Sequence, residues 1–312
     1  MVQSNNRRSP MKLNSQCTKK LDETEASSTN NYTDDRKNED MEHPFVIFHQ
    51  NIQGLKNKVN ELLLSVYPVK PQLICLSEHH LKNDEINTLH IPSYNLSANY
   101  SRTSLKCGGV CMFIHNDIQF TNIYLHKHNK EQDLEITAIK IKFSTKYIIV
   151  ICIYRAPSGD MDYSLCHIEK ILNDLYKLKT EFILCADLTV HFLERNTNQT
   201  RLQNVLNTFN LHGTVHFPTR ITNIITKAID IILLDETNSY IIKPHINGLS
   251  DHDAQTLKLE LGRLPTTESR NKYHLYKNIN ELFIMEFKYL LSWELWEDVF
   301  NSSDVNIMFK FF

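Results

Sequence analysis

The chain has 312 residues, 41% of them hydrophobic, a formal charge of −2 at pH 7 and seven cysteines. That is enough apolar material for a sizeable core, while the near-balance of charge excludes binding to nucleic acid by bulk positive charge and leaves only a local basic groove open. The odd cysteine count with no apolar leader points to a reducing, intracellular compartment, and the lack of any run of 18 apolar residues predicts no membrane span.

In chain order, residues 1–42 are rich in Ser, Asn, Thr, Lys, Asp and Glu and nearly free of large apolar side chains, so they are expected to form a disordered arm. From Pro44 the texture changes to short apolar, β-branched runs: FVIFHQN, QLICLSE, GGVCMFI, EITAIKI, YIIVICIY, FILCADL, GTVHF and AIDIILL. Those between Glu135 and Leu188 are too hydrophobic for one-sided surface strands and predict central strands covered on both faces. Helical spacing appears between them, at Val59, Leu62, Leu63 and Val66, again at Leu165, Ile168, Ile171, Leu172 and Leu175, and again at Leu202, Val205, Leu206 and Phe209. Many strands adjoin with no helix between them, which predicts a mixed α/β domain over residues 43–262 with extensive antiparallel pairing. Residues 263–312 read as a linker and an amphipathic helical tail, with Leu282, Phe283, Phe287, Leu290 and Leu291 available for one face and Trp293 and Trp296 as core or partner-facing groups. The aromatic end NIMFKFF reads as a cut through something longer. Most cysteines lie inside the apolar runs as small hydrophobes; only Cys107 and Cys111 are close together, and no second pair completes a zinc site.

Six strand-like runs end on a polar residue: Asn51 after FVIFHQ, Glu78 after LICLS, Tyr154 with Arg155 after IIVICI, Asp187 after FILCA, Asp230 beside IILL, and Asp251 with His252 in GLSDHD. Gathered on one end of a sheet, such groups would form a site of the kind α/β enzymes use. Hard oxygen donors suit Mg²⁺ or Mn²⁺, and the implied chemistry is metal-assisted attack on a phosphate ester. Thr189, two residues past Asp187, is expected to face the same way as that acid. His79 and His80 read as exposed loop histidines, and His49, His191, His212 and His216 as structural or surface groups. Arg220 could touch a phosphate or base, or brace a carboxylate.

The elements QNIQGL, LSEHHL, YRAPS, ADL, FPTRIT, AIDIILL and GLSDHDAQ, in this order and spacing, resemble the endonuclease domain of non-LTR retrotransposons, especially the jockey-like insect elements, within the endonuclease/exonuclease/phosphatase superfamily. The resemblance implies a four-layer α/β sandwich of two packed, mostly antiparallel sheets flanked by helices, and a chain truncated before a reverse transcriptase. It also implies a Mg²⁺-dependent endonuclease that acts on DNA in the nucleus and leaves a 3′-hydroxyl. By the same resemblance Glu78 would hold the metal directly and Asn51 through its amide or a water, with Asp251 joining or flanking them. His252, oriented by Asp230, would bond the scissile phosphate; Tyr154 would contact a phosphate oxygen; and Asp187 would deprotonate the attacking water. The family writes Gly-Asp-Phe-Asn where this chain has Ala186, Asp187, Leu188 and Thr189. Thr189 in place of asparagine removes a phosphate donor, so weakened activity is expected. The alternatives are a catalytically silent nucleic-acid-binding remnant and a phosphoesterase acting on small or lipid phosphates.

Overall fold

Two strand–helix–strand units organise the protein, whose architecture is described from a computed structural model. The structure describes residues 44–261 apart from 144–145, 177–179 and 236–238, together with the isolated positions 288 and 292. The chain divides into two units, Met1–Met41 and Glu42–Phe312, and the first lies wholly outside the described residues, as do the predicted arm and nearly all of the predicted tail.

The first half of the domain runs β1 (Phe45–Asn51), α1 (Val59–Val66), β2 (Leu73–Ser77), α2 (Asn83–Thr88), β3 (Tyr94–Tyr100) and β4 (Val110–His115). It continues through β5 (Phe120–Ile123), β6 (Glu135–Lys142), β7 (Tyr147–Tyr154), α3 (Met161–Leu175), β8 (Thr180–Asp187) and α4 (Thr197–Thr208). It closes with β9 (Leu211–Gly213), β10 (Arg220–Ile221), β11 (Thr226–Lys227), β12 (Asp230–Asp235), β13 (Tyr240–His245) and β14 (Ala254–Leu259). One sheet has the order β13-β14-β1-β2-β4-β3 and the other β5-β6-β7-β8-β12-β9. Each contains a single parallel pair, β1 with β2 and β7 with β8, bridged by α1 and α3 respectively, because parallel neighbours need a crossover and a helix supplies it. The other pairings in these sheets are antiparallel.

The alternation of side chains produces three apolar layers and hence four structural ones. Ile47, Cys75, Met112, Val150, Ile183, Ile232 and Leu257 meet between the sheets. The opposite faces carry Phe48, Ile74 and Phe113 against Leu62 and Val66 of α1, and Ile151, Leu184 and Leu233 against Ile168, Leu172, Leu202 and Leu206 of α3 and α4. At about 25 cal/mol per Å² of apolar surface removed from water, such doubly covered strands are the main stabilising element. Helix α3 is started by Asp160, whose carboxylate accepts from the backbone N–H of Asp162 and Tyr163.

Two expectations are corrected here. The strand predicted in GTVHF lies earlier, at Leu211–Gly213, because Thr214 turns its hydroxyl onto the Ile232 carbonyl. Edge strands β3 and β13 were not expected, since YNLSANY and YIIKPH place only part of their length against the core. No helix among the described residues is long and apolar enough to cross a membrane.

Candidate active site

The C-terminal ends of the two parallel pairs point to the same lip of the sandwich, and the antiparallel strands β12 and β14 begin there. Asn51 closes β1, Glu78 follows β2, Tyr154 closes β7 and Asp187 closes β8, while Asp230 opens β12 directly opposite Asp187 in register and His252 lies two residues before β14. Residues remote in sequence therefore converge because strand direction brings them to one edge.

Asn51 links two acids. Its Nδ2 donates to Glu78 Oε1 and to Asp187 Oδ2, each at 2.8 Å, and its Oδ1 accepts from the Gln53 backbone N–H at 3.2 Å. Glu78 Oε2 also lies 3.1 Å from His80 Nε2. Burial pushes the Glu78 carboxyl up, but the influence of His80, Asn51 and the Tyr154 phenol outweighs that and holds it at about 2. Burial, with the Glu78 and Asp187 charges adding to it, drives the Tyr154 phenol far above its ordinary value, so it stays a hydrogen-bond donor.

The second group is deeper. His252 Nδ1 lies 2.8 Å from Asp230 Oδ2, and both residues are buried. That same oxygen accepts the Thr219 hydroxyl at 2.8 Å, while Thr219 Oγ1 accepts from the backbone N–H of Ile229 and Asp230. Burial alone would lower the imidazole, yet Asp230, Asp187 and Asp251 outweigh it and raise His252 to about 9. Burial first and the Asp230 charge second lift the Asp187 carboxyl well above the usual range, offset in part by His252 and Asn51. Ligand atoms of Asp187, Asp230 and His252 all lie within 4.8 Å of one another, a spacing that could hold a metal ion.

Asp251 stands at the rim. Gln53 Nε2 donates to its Oδ1 at 2.5 Å and Arg220 Nε to its Oδ2 at 2.8 Å, and His252 Nε2 is 3.8 Å from Oδ1. Arg220 thus braces a carboxylate. Thr189 does not share the direction of Asp187: its φ is 56°, and its hydroxyl donates to the Arg155 carbonyl at 2.7 Å, while its backbone N–H donates to Asp187 Oδ1 at 3.2 Å. The turn after β8 reverses the alternation on which the expectation rested.

The expectation of exposed loop histidines at 79 and 80 also needs correction. His79 is fully buried, with Nδ1 accepting from the Leu81 N–H and Nε2 3.0 Å from the Tyr100 carbonyl, and His80 is half-buried against Glu78. Both stand inward because Glu78 and His80 adopt left-handed φ values of 53° and 61°, twisting the LSEHHL segment off the strand line. His49 is buried beneath the site and lowered to about 4 by burial. Gln53, Thr219 and His80 were given no part in the site, although each lies inside a motif singled out above.

No family model matches the sequence, and no curated protein matches it. Solved structures do. The endonuclease domain of TRAS1, a telomere-specific non-LTR retrotransposon, superposes with a TM-score of 0.56 at 14% identity, covering 70% of this chain and 100% of that one. The 3′ phosphatase NExo from Neisseria, bound to a product DNA hairpin, gives 0.54 at 14% identity over 69% of this chain and 99% of that one. TDP2 of D. rerio, complexed with a single-strand DNA product, gives 0.52 at 11% identity over 69% and 98%. At such identities the likeness is one of fold: the chain shares the two-sheet α/β sandwich of these proteins, a retrotransposon endonuclease domain among them.

Proposed function

We propose that the chain is a divalent-metal-dependent phosphodiesterase that acts on DNA in the nucleus, nicking one strand to leave a 3′-hydroxyl, with turnover weakened by Thr189. The observation that carries this reading is the Glu78–Asn51–Asp187 bridge set beside the Asp230–His252 pair. The donor set fits a hard cation. The carboxyls of Glu78, Asp187, Asp230 and Asp251 gather with the imidazoles of His80 and His252 and the Arg220 guanidinium in a largely buried place, and Asp230 Oδ1 is buried with no protein partner. Glu78, Asn51 and Asp251 would hold Mg²⁺ or Mn²⁺, and the Asp187, Asp230 and His252 cluster is a second group able to do so. When bound, the ion neutralises charge on the phosphate and orients it.

The residues divide the remaining work. With Nδ1 tied to Asp230 and its proton affinity raised, His252 presents Nε2–H as a cationic donor to a phosphate oxygen as negative charge grows there. Asp187, raised toward neutrality, is suited to take a proton from the attacking water. Water adds to phosphorus, the bond to the 3′ oxygen breaks, and a 5′-phosphate and a 3′-hydroxyl result. Tyr154 serves by orienting Glu78 through its hydroxyl.

The test is nicking of supercoiled plasmid by the purified chain with Mg²⁺ or Mn²⁺. Slow nicking that stops with a chelator and in His252→Ala, with polymerase-extendable ends, supports the reading. A second reading, a silent nucleic-acid-binding remnant, is favoured by the donation of the Thr189 hydroxyl to Arg155. It predicts no nicking but DNA retention that falls steeply with salt. Neither nicking nor binding would overturn both.

A further inference from the structure

Behind Tyr154 lies an ion pair that the chemistry above does not use. Arg102 and Glu135 are both buried, the carboxylate entirely so. Glu135 Oε1 accepts from Arg102 Nε at 2.6 Å and from the Gln132 N–H at 2.9 Å, and Oε2 accepts from the Gly109 N–H at 2.5 Å. Glu135 faces Tyr154 directly across the β6–β7 pairing, and the Arg102 guanidinium carbon sits 5.9 Å from the Tyr154 ring centroid. Gly108 and Gly109 have φ of 75° and 88°, and a Cβ on either would collide with the Arg102 guanidinium or the His79 ring respectively, so the turn is shaped around this pair.

We propose that the buried Arg102–Glu135 pair positions Tyr154 and, through its hydroxyl, the carboxylate of Glu78. The tyrosine ring is held from one side by strand pairing and from its face by a guanidinium that Glu135 locks in place. The phenol of the ring held in this way acts on the Glu78 carboxylate, which follows β2 at the same lip. An arginine fixed by a carboxylate keeps its plane; a lone lysine ammonium would not. The inference rests on the reading of Glu78 as a metal-holding residue.

The experiment measures Mn²⁺ affinity of the full chain from the signal of the free ion. Wild type should bind Mn²⁺ and Glu78→Gln should lose that binding. The double variant Arg102→Met/Glu135→Leu removes both charges together and so leaves neither buried alone. It should keep cooperative thermal unfolding while binding Mn²⁺ about 10- to 100-fold more weakly, the scale on which groups supporting a metal ligand act. In a Tyr154→Phe background the same double change should have little further effect, because its route is already cut. A packing role alone would leave the two effects multiplicative, and that result, or wild-type affinity in the double variant, overturns the proposal while leaving Glu78 as the ligand. Binding that survives Glu78→Gln instead overturns the metal reading at Glu78, and this inference with it. If the double variant fails to unfold cooperatively, Arg102→Lys is measured in its place. It keeps the ion pair but loses the guanidinium plane, and it should weaken binding in the same direction; unchanged affinity overturns the proposal.

Discussion

Replacing Thr189 with asparagine separates what this position does for the fold from what it does for the chemistry. A β-branched residue at φ 56° is a conformational outlier, with strain of about 1–3 kcal/mol, whereas asparagine tolerates this region. Against that relief, Thr189→Asn removes the 2.7 Å hydroxyl bond to the Arg155 carbonyl, a contribution of about 1 kcal/mol. The two nearly offset, so the melting temperature should stay within a few degrees of wild type, given that about 1 kcal/mol corresponds to roughly 2–4 °C at this size. The backbone bond from residue 189 to Asp187 Oδ1 is kept in the variant. The rate should respond far more, because the longer asparagine side chain, released from the Arg155 carbonyl, can turn its amide N–H toward the rim and restore one transition-state donor, worth about 10²- to 10³-fold. Plasmid nicking followed over time in Mg²⁺, with a thermal melt on the same preparation, reads both quantities. A variant that melts normally and nicks no faster would refute the reasoning, since the missing amide would then not be what limits turnover.

The pH dependence of stability in chelator should reveal His252. Its folded pKa of about 9 exceeds the ordinary 6.5, so its stabilisation is complete below about 6.5 and is lost as pH rises through about 9; His252→Gln should flatten that decline in pH-resolved melts. Asp187, also raised, adds loss of the same sign at lower pH, and Asp187→Asn should remove that part. Leu172→Ala, under the second sheet and fully buried, should lower unfolding free energy by about 2–5 kcal/mol in urea titration. Gly109→Ala drives a methyl into the His79 ring at φ 88° and should cost more stability than a surface Gly→Ala change, with Mn²⁺ binding weakened as well.

The central strands and the list of strand-end acids could be read directly from the chain because strands covered on both faces are written as continuous apolar runs, and the residue that breaks such a run marks a rim. Asn51, Glu78, Asp187 and Asp230 all announce themselves in this way. What the sequence cannot carry is direction at the turns. Glu78, His80 and Thr189 take left-handed φ values, and each one rotates its side chain, or its neighbour's, away from the face that simple alternation assigns. Gln53 and Thr219 are ordinary polar residues until strand order places them against Asp251 and Asp230. The edge strands were hidden for a different reason: β13 leaves most of its side chains in water, so hydrophobicity gives no signal of its pairing with β14.

That same sheet order has a consequence for how the protein is made. Strand β1 is gripped on one side by β2 and on the other by β14, with Phe45 opposite Leu259, so the first of the described strands to leave the ribosome waits for the last of them. During elongation its open flank and the apolar face beneath it remain exposed, a template for pairing with a neighbouring nascent chain. Closure across nearly the whole domain is a slow, non-local event. Biogenesis should therefore depend on chaperones that shield β1 until synthesis has passed Leu259, and crowded polysomes are where this protein is most exposed to misassembly.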